Sequence, residues 1–154
     1  MNLVSDLIQE RIDALPSASL EDMAELSLLR RFDSKYVVPV AWIPGLLEQL
    51  GKQYKVLEVN GERTTRYDNR YYDTSSQQCL QDHLKGRGRR FKVRVRMYSS
   101  TGVSFLEVKQ RMQNGKTIKH RRMRGKDAWA PEFSGNEEHF LSDILPQVEG
   151  LRPD

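Results

Sequence analysis

Polar and apolar residues alternate most regularly in the middle of the chain. Between Arg90 and Tyr98 apolar and basic residues take turns: the apolar ones are Phe91, Val93, Val95 and Met97, and the basic ones are Arg90, Lys92, Arg94 and Arg96. Successive side chains of a β-strand point to opposite faces of the sheet. The segment is therefore predicted to form a strand with one apolar face and one cationic face.

The same period of two predicts five further strands. They cover residues 28–38, 54–59, 63–72, 103–111 and 116–122. Asn60 and Gly61 separate 54–59 from 63–72, and Asn-Gly is a strong signal for a hairpin turn because both residues must accept a positive φ angle. We therefore expect 54–59 and 63–72 to pair as antiparallel strands.

Apolar residues at helical spacing predict helices around these strands. The predicted helices cover residues 4–15, 20–25 (N-cap Ser19), 44–50, 77–84 and a closing segment within 128–149 (N-cap Asn136). The elements together predict an α+β fold, an antiparallel sheet with flanking helices. We expect a single domain over residues 1–154, with a helical segment 1–27, core strands 28–122 and the closing helix 128–149.

The composition is that of an ordinary globular chain, with 30% charged and 38% hydrophobic residues among 154. Cys79 is the single cysteine, which excludes an internal disulfide and a cysteine-based zinc site. No segment approaches the roughly 20 consecutive apolar residues that a membrane-spanning helix requires. We expect a cytoplasmic protein without a membrane span.

The net charge of +4 is small, so the distribution of the charges matters more than their sum. By parity, eight basic residues share one face of the sheet with two acids. The basic ones are Arg31, Lys35, Arg94, Arg96, Lys109, Arg111, Lys119 and Arg121, and the acids are Asp33 and Glu107. We call this predicted set the basic face.

Two interpretations of the basic face remain open. Antiparallel sheets commonly have one solvated face, which would leave these cations in water. Alternatively, a polyanion lies opposite, and interleaved arginine and lysine suit a chain of phosphates. We assign few aromatic residues to this face and place Trp42 and Trp129 in the core, so nucleic acid is not an expected partner.

Five motifs occur in order along the chain: R-F-D-S-K-Y at 31–36, Y-D-N-R-Y-Y-D-T at 67–74, H-L-K-G-R-G-R-R-F-K-V-R-V-R-M-Y at 83–98, F-L-E-V-K at 105–109 and T-I-K-H-R at 117–121. In this order and spacing they resemble the VTC domain, the polyphosphate polymerase domain of the vacuolar transporter chaperone complex and its bacterial relatives. The resemblance covers roughly residues 28–122.

The resemblance implies a triphosphate tunnel fold, an antiparallel barrel whose lumen holds polyphosphate, ATP or tripolyphosphate. It implies phosphoryl transfer from ATP to a polyphosphate chain with a divalent metal, manganese or magnesium. The catalytic residues that the resemblance implies are Lys35, Arg94, Arg96, Lys109, Lys119 and Arg121. Arg31 and Arg111, which share the basic face by parity, are the candidate substrate-binding residues, and Glu107 is the candidate metal ligand. A salt bridge within the sheet is the alternative role for Glu107.

In the relatives the chain continues into further strands that close the barrel and supply a metal-binding glutamate. We therefore expect this sequence to correspond to the N-terminal part of such a domain, completed by further strands, a second chain or a second copy. Whether it catalyses a reaction by itself stays open. The alternatives are a non-catalytic polyphosphate-binding or triphosphate-binding module and a CYTH-like triphosphatase, which is less favoured because 31–35 reads R-x-D-x-K rather than E-x-E-x-K.

Overall fold

The structure, a computed structural model, describes residues 3–23, 34–99, 101–125 and 129–153. They fall into two compact units, unit 1 within Met1–Thr64 and unit 2 within Thr65–Asp154. Among the helices of these described residues, none is long and apolar enough to cross a bilayer.

Unit 1 contains two helices and two very short strands. Its elements are α1 (Leu3–Asp13), β1 (Ser17–Ala18), a 3-10 turn (Val40–Trp42) that leads into α2 (Ile43–Leu50), and β2 (Val56–Leu57). β1 and β2 pair in parallel. Pro44 lies in the first turn of α2, where the missing N–H of proline costs no helical hydrogen bond.

The end of α1 is held by one arginine. The Nη1 atom of Arg63 donates to the backbone carbonyl oxygens of Asp13 at 2.6 Å and Leu15 at 2.9 Å, and Nε pairs with Glu58 at 2.8 Å. The last carbonyl groups of a helix lack partners within the helix, and a cation there also suits the helix dipole. Arg63 therefore fixes the chain where it leaves α1.

Unit 2 is a five-stranded antiparallel sheet with two helices. Its elements are β3 (Tyr67–Asp73), α3 (Gln78–Leu84), β4 (Arg90–Tyr98), β5 (Ser104–Arg111), β6 (Thr117–Met123), α4 (Gly135–Ile144) and β7 (Arg152–Pro153). The strand order is β6-β5-β4-β3-β7. Over the described residues the sheet is open, so the barrel and tunnel that the resemblance implies stay a prediction.

The core of unit 2 lies on one face of this sheet. Val93, Val95, Leu106 and Val108 are fully buried there, and Leu141 of α4 belongs to the same cluster. At about 25 cal/mol per Å² of apolar surface, each such side chain stabilises the fold by roughly 1.5–3 kcal/mol. This cluster packs one face of the sheet and leaves the opposite face for other roles.

A buried ion pair ties the start of α4 to the chain after β6. Arg124 Nε lies 2.6 Å from Glu137 Oε1, and both side chains are almost fully buried. Glu137 also accepts a hydrogen bond from the backbone N–H of Ser134, the N-cap, at 2.9 Å. Burial opposes ionisation of Glu137, but the bonds from Arg124 and Ser134 outweigh it and lower its pKa.

The α+β class and most elements of unit 2 agree with the sequence predictions. β4 has the predicted bounds, and β5 and β6 begin one residue later than predicted. The cap of α4 is Ser134, not Asn136, because Ser134 and Glu137 form a reciprocal capping box. Trp42 is 67% exposed, so its assignment to a core is wrong.

The predicted strands of unit 1 agree less well with the structure. Asn60 and Gly61 do form a tight turn with φ of 53° and 80°. Reciprocal backbone hydrogen bonds of 3.0 Å between Val59 and Glu62 close it as an antiparallel bridge, but the predicted strand pairing does not extend beyond this bridge. β2 pairs instead with β1, whereas β3 pairs with β4 and β7. Residues 34–38 form no strand, and the rest of the predicted strand 28–38 lies outside the described residues, as do 24–25 of the predicted helix 20–25.

Candidate functional site

The face of the sheet opposite the core carries the basic residues of β4, β5 and β6. Residues directly opposite each other in antiparallel strands share a face. The register of β3 to β6 places the residues of this face in five rows that cross the strands. In order along the strands, the rows are Tyr67 and Tyr98; Asn69, Arg96, Phe105 and Met123; Tyr71, Arg94, Glu107 and Arg121; Lys92, Lys109 and Lys119; Arg90, Arg111 and Thr117. Rows lie two residues apart, about 7 Å. We call this surface the cationic face.

The middle row is organised around Glu107. Its carboxylate lies 2.6 Å from Arg94 Nη2 and 2.5 Å from Nζ of Lys119, which belongs to the next row. The Glu107 side chain is 1% exposed although it lies on the face away from the core. The side chains of its cationic neighbours therefore cover it.

Both members of the Glu107–Arg94 pair are held in their charged forms. Burial would raise the pKa of Glu107, but hydrogen bonds and charge interactions with Lys119 and Arg94 outweigh burial and lower the pKa. Burial would likewise lower the pKa of Arg94, and its bonds to Glu107 and Tyr71 raise the pKa instead. Glu107 is thus a buried anion paired with two cations, Arg94 of its own row and Lys119 of the next row, and Arg121 is a further cation in its own row.

The row of Lys92, Lys109 and Lys119 is the most densely cationic part of the face, and we call it the lysine row. Its residues come from three adjacent strands and lie directly opposite one another. Lys119 pairs with Glu107 in the neighbouring row, whereas Lys92 and Lys109 are exposed and form no ion pair within the described residues. Like charges directly opposite each other destabilise a sheet. An anion bound over this row would remove that repulsion.

The other end of the cationic face is aromatic. The ring of Tyr98 lies 6.2 Å from that of Tyr67 and 6.1 Å from that of Phe105, centroid to centroid. Arg96 lies over the Tyr67 ring at 4.3 Å, and Arg121 lies over the Phe105 ring at 4.1 Å. We call Tyr67, Tyr98 and Phe105 the aromatic end. The expectation that this face offers few aromatic residues is therefore wrong.

Six of the eight predicted basic-face cations lie on the cationic face: Arg94, Arg96, Lys109, Arg111, Lys119 and Arg121. Arg31 and the acid Asp33 lie outside the described residues. Lys35 is exposed in the irregular segment 34–39 of unit 1, so its place on this face stays a prediction.

Sequence reasoning missed two features of the face. Lys92 and Arg90 have the same parity as Arg94 but are absent from the predicted basic face. The aromatic end could have been found in the same way, because Tyr98 follows the parity of Arg96, and Phe105 follows that of Glu107. Tyr67 required the register between β3 and β4, which the sequence did not provide.

The residues of the cationic face do not fit a resident divalent metal. Magnesium at phosphate sites is usually held by one or two carboxylates. Among the described residues of these rows Glu107 is the acid, and its two oxygens face Arg94 and Lys119. Asp73, two residues after Tyr71 on β3, has the parity of this face as well. The salt bridge is thus the role of Glu107 that the geometry supports, and no group of three or more possible metal ligands occurs among the described residues.

Asp73, at the end of β3, is also engaged. Its carboxylate accepts backbone N–H groups from Thr74, Cys79 and Leu80 at 2.7 to 3.0 Å. Burial would raise its pKa, but these bonds from Cys79, Leu80 and Thr74 lower it. Asp73 therefore anchors the start of α3 to the sheet.

Comparison with known proteins assigns the family. The family model for the VTC domain matches residues 30–143, a range that includes β3 to β6 and most of α4. No curated protein and no solved structure matches the chain. Because the match covers most of its length, the chain belongs to the VTC domain family.

Proposed function

We propose that the cationic face binds a linear chain of phosphates, that of inorganic polyphosphate or of ATP. The lysine row is the observation that carries this proposal. Three lysines lie side by side on a rigid sheet, and within the described residues the ion pair of this row joins Lys119, at one end, to Glu107. A linear polyanion has the charge and the repeat needed to lie across such rows.

The geometry supports two different roles for the residues of this face, positioning and phosphate contact. Nε and Nη2 of Arg94 both contact Glu107, at 2.7 and 2.6 Å, so most of its guanidinium is directed at this carboxylate. We assign Arg94 and Glu107 the role of positioning residues that hold Lys119. Lys92, Lys109, Lys119 and Arg121 are the proposed phosphate contacts, since Lys92, Lys109 and Arg121 are exposed and Lys119 partly so.

For phosphoryl transfer from ATP to a polyphosphate chain, the same cations would stabilise charge that spreads over the phosphate oxygens. The VTC domain family membership supports this activity. The second candidate is a non-catalytic polyphosphate-binding or triphosphate-binding module. It is supported by the engagement of Glu107 with two cations and of Asp73 with three backbone N–H groups, which leaves neither acid of the described part of this face free for a metal.

The two consecutive arginines of β6 provide a charge-matched test. Arg121 lies opposite Glu107 on the cationic face, and Arg122 lies opposite Leu106 on the other. We expect Arg121→Gln to weaken tripolyphosphate binding about tenfold, since charge-assisted hydrogen bonds contribute about 1.5–3 kcal/mol. We expect Arg122→Gln, with the same change in net charge, to stay within about twofold by calorimetry. Equal losses would contradict binding on this face.

The activity is tested separately. Incubation of the chain with ATP and manganese, followed by electrophoresis for polyphosphate, should yield product if it is a polymerase. Binding of tripolyphosphate without any polyphosphate product would support the non-catalytic binding module. Release of phosphate from tripolyphosphate would support the CYTH-like triphosphatase instead. Displacement of tripolyphosphate by DNA at equal ionic strength would indicate a general nucleic-acid binder, since both ligands use salt-sensitive phosphate contacts.

A further inference from the structure

The aromatic end is a partly exposed platform rather than part of the core: Tyr67 is exposed, and Tyr98 and Phe105 are half-buried. The hydrophobic cluster of unit 2 lies on the opposite face of the sheet. On the cationic face, Tyr67 is 46% exposed, and its ring is tilted against that of Tyr98 with an interplanar angle of 56°. Tyr98 and Phe105 meet at 83°, so the three rings form a bent surface and not a stack that fills itself. Such a surface can accept one more flat group.

Two guanidinium groups extend this platform. Arg96 is held over Tyr67 and also donates from Nε to the Asn69 side-chain oxygen at 3.1 Å. Arg121 lies over Phe105. Aromatic rings and arginine planes are the surfaces on which nucleobases stack. The platform therefore has the chemistry of a base-binding surface, with positive charge on the side that leads toward the phosphate contacts.

The platform and the lysine row are aligned along the same strands. Arg96 and Lys92 are four residues apart on β4, which corresponds to about 13 Å. Arg121, between them, is on β6 in the row next to the lysine row. A molecule with a flat base at one end and a chain of phosphates at the other can contact both regions along a single line.

We propose that the aromatic end is a nucleobase subsite, which takes the base of a nucleoside triphosphate while its phosphates extend along the strands toward the lysine row. This subsite rests on the proposed binding of phosphates to the cationic face and gives that binding a direction. A nucleotide fits better than a single-stranded nucleic acid, because a strand needs aromatic platforms repeated along its path. Among the described residues, the rows beyond Tyr71 offer no such repeat, since the register of β4, β5 and β6 places lysine, arginine and threonine in them.

The test compares two ligands that differ by the nucleoside. Tyr67→Leu keeps apolar bulk and removes the stacking surface, and Tyr67→Phe keeps the ring. By calorimetry, we expect Tyr67→Leu to weaken ATP binding about tenfold and to leave tripolyphosphate within about twofold. Tyr67→Phe should leave both affinities near wild type. Tyr71→Leu is the matched control, since Tyr71 lies on the same strand and face in the row of Glu107. This variant should not weaken ATP binding more than it weakens tripolyphosphate binding.

A measurement on the unaltered chain covers the case in which a variant does not fold. Saturation-transfer NMR should show strong transfer from protein protons to the base protons of ATP, and weaker transfer to the ribose. Equal losses of ATP and tripolyphosphate binding in Tyr67→Leu, or no transfer to the base, would overturn the subsite alone. Failure of the wild type to bind either ligand would overturn the proposed function as well, so the two failures can be told apart.

Discussion

Lys92 and Lys109 lie directly opposite each other on β4 and β5, and Lys119 lies directly opposite Lys109 on β6. Cross-strand neighbours of this kind have Cβ atoms about 4.5–5.5 Å apart, and like charges at these positions are unfavourable. An ordinary sheet surface avoids this arrangement by alternating the sign of its charges. The lysine row thus holds unfavourable charge repulsion in the absence of an anion.

Removal of one charge from this row should therefore affect stability and binding in opposite directions. We expect Lys109→Gln to raise the free energy of unfolding by up to about 1 kcal/mol without ligand, and to weaken tripolyphosphate binding about tenfold. Urea unfolding and calorimetry measure the two effects. Lys85→Gln, at the exposed end of α3, removes the same charge away from the sheet and should change neither. A loss of stability in Lys109→Gln would contradict the repulsion.

Glu107 should behave in the opposite manner. Glu107→Gln leaves Arg94, whose side chain is 14% exposed, without its anion. Breaking a buried ion pair by removing one partner typically lowers the free energy of unfolding by about 3–5 kcal/mol. Because Lys119 is exposed, we expect a loss at the lower end of this range. Urea unfolding should show a loss of about 3 kcal/mol, whereas Glu149→Gln, at an exposed position, should show almost none. A small loss for Glu107→Gln would mean that the pair contributes little to the fold.

The contrast between the two units shows what could be predicted from the sequence. In β4 the alternation is unbroken over nine residues, so both its bounds and its two faces could be predicted. The two faces of β5 and of β6 could also be predicted, because the apolar residues of a strand with one buried face fix its register. This local information was enough to bring Arg94, Glu107, Lys109 and Lys119 onto one surface.

Pairing between distant segments could not be predicted in the same way. The Asn60-Gly61 turn forms as expected, but a turn does not determine which strand lies beside its arms. β2 is two residues long and pairs with β1, about forty residues earlier in the chain, which no periodicity indicates. The reciprocal engagement of Glu107 with Arg94 and Lys119 likewise depends on side-chain reach across rows, not on parity.

The core face allows a matched pair of leucine substitutions. Leu106 is fully buried between the sheet and the segments that cover it, and Leu84, at the end of α3, is 70% exposed. We expect Leu106→Ala to destabilise the protein by about 2–5 kcal/mol, through lost apolar burial and the cavity left behind. Leu84→Ala should change the unfolding free energy by less than about 0.5 kcal/mol. Similar losses for both would place the core on the wrong face.

The ion pair between Arg124 and Glu137 makes a prediction about pH. The pKa of Glu137 is lowered in the folded state from its usual value of 4.5, so the unfolded chain binds more protons than the folded chain in the acid range. Stability from this group is therefore fully present above about pH 5 and is lost as the pH falls below 4.5 and through the folded pKa. Glu107 contributes in the same direction, since its pKa is lowered too.

Glu137→Gln isolates this contribution, because glutamine can still serve in the capping box and only the charge is removed. Urea midpoints measured from about pH 7 to about pH 3 should show the variant less stable at neutral pH, by about 3 kcal/mol. The difference between wild type and variant should shrink as the pH falls, because protonation removes the same charge from the wild type. Glu138→Gln, exposed in the same first turn of α4, should follow the wild-type curve. A difference that stays constant with pH would mean that packing, not the ionised carboxylate, stabilises this corner of unit 2.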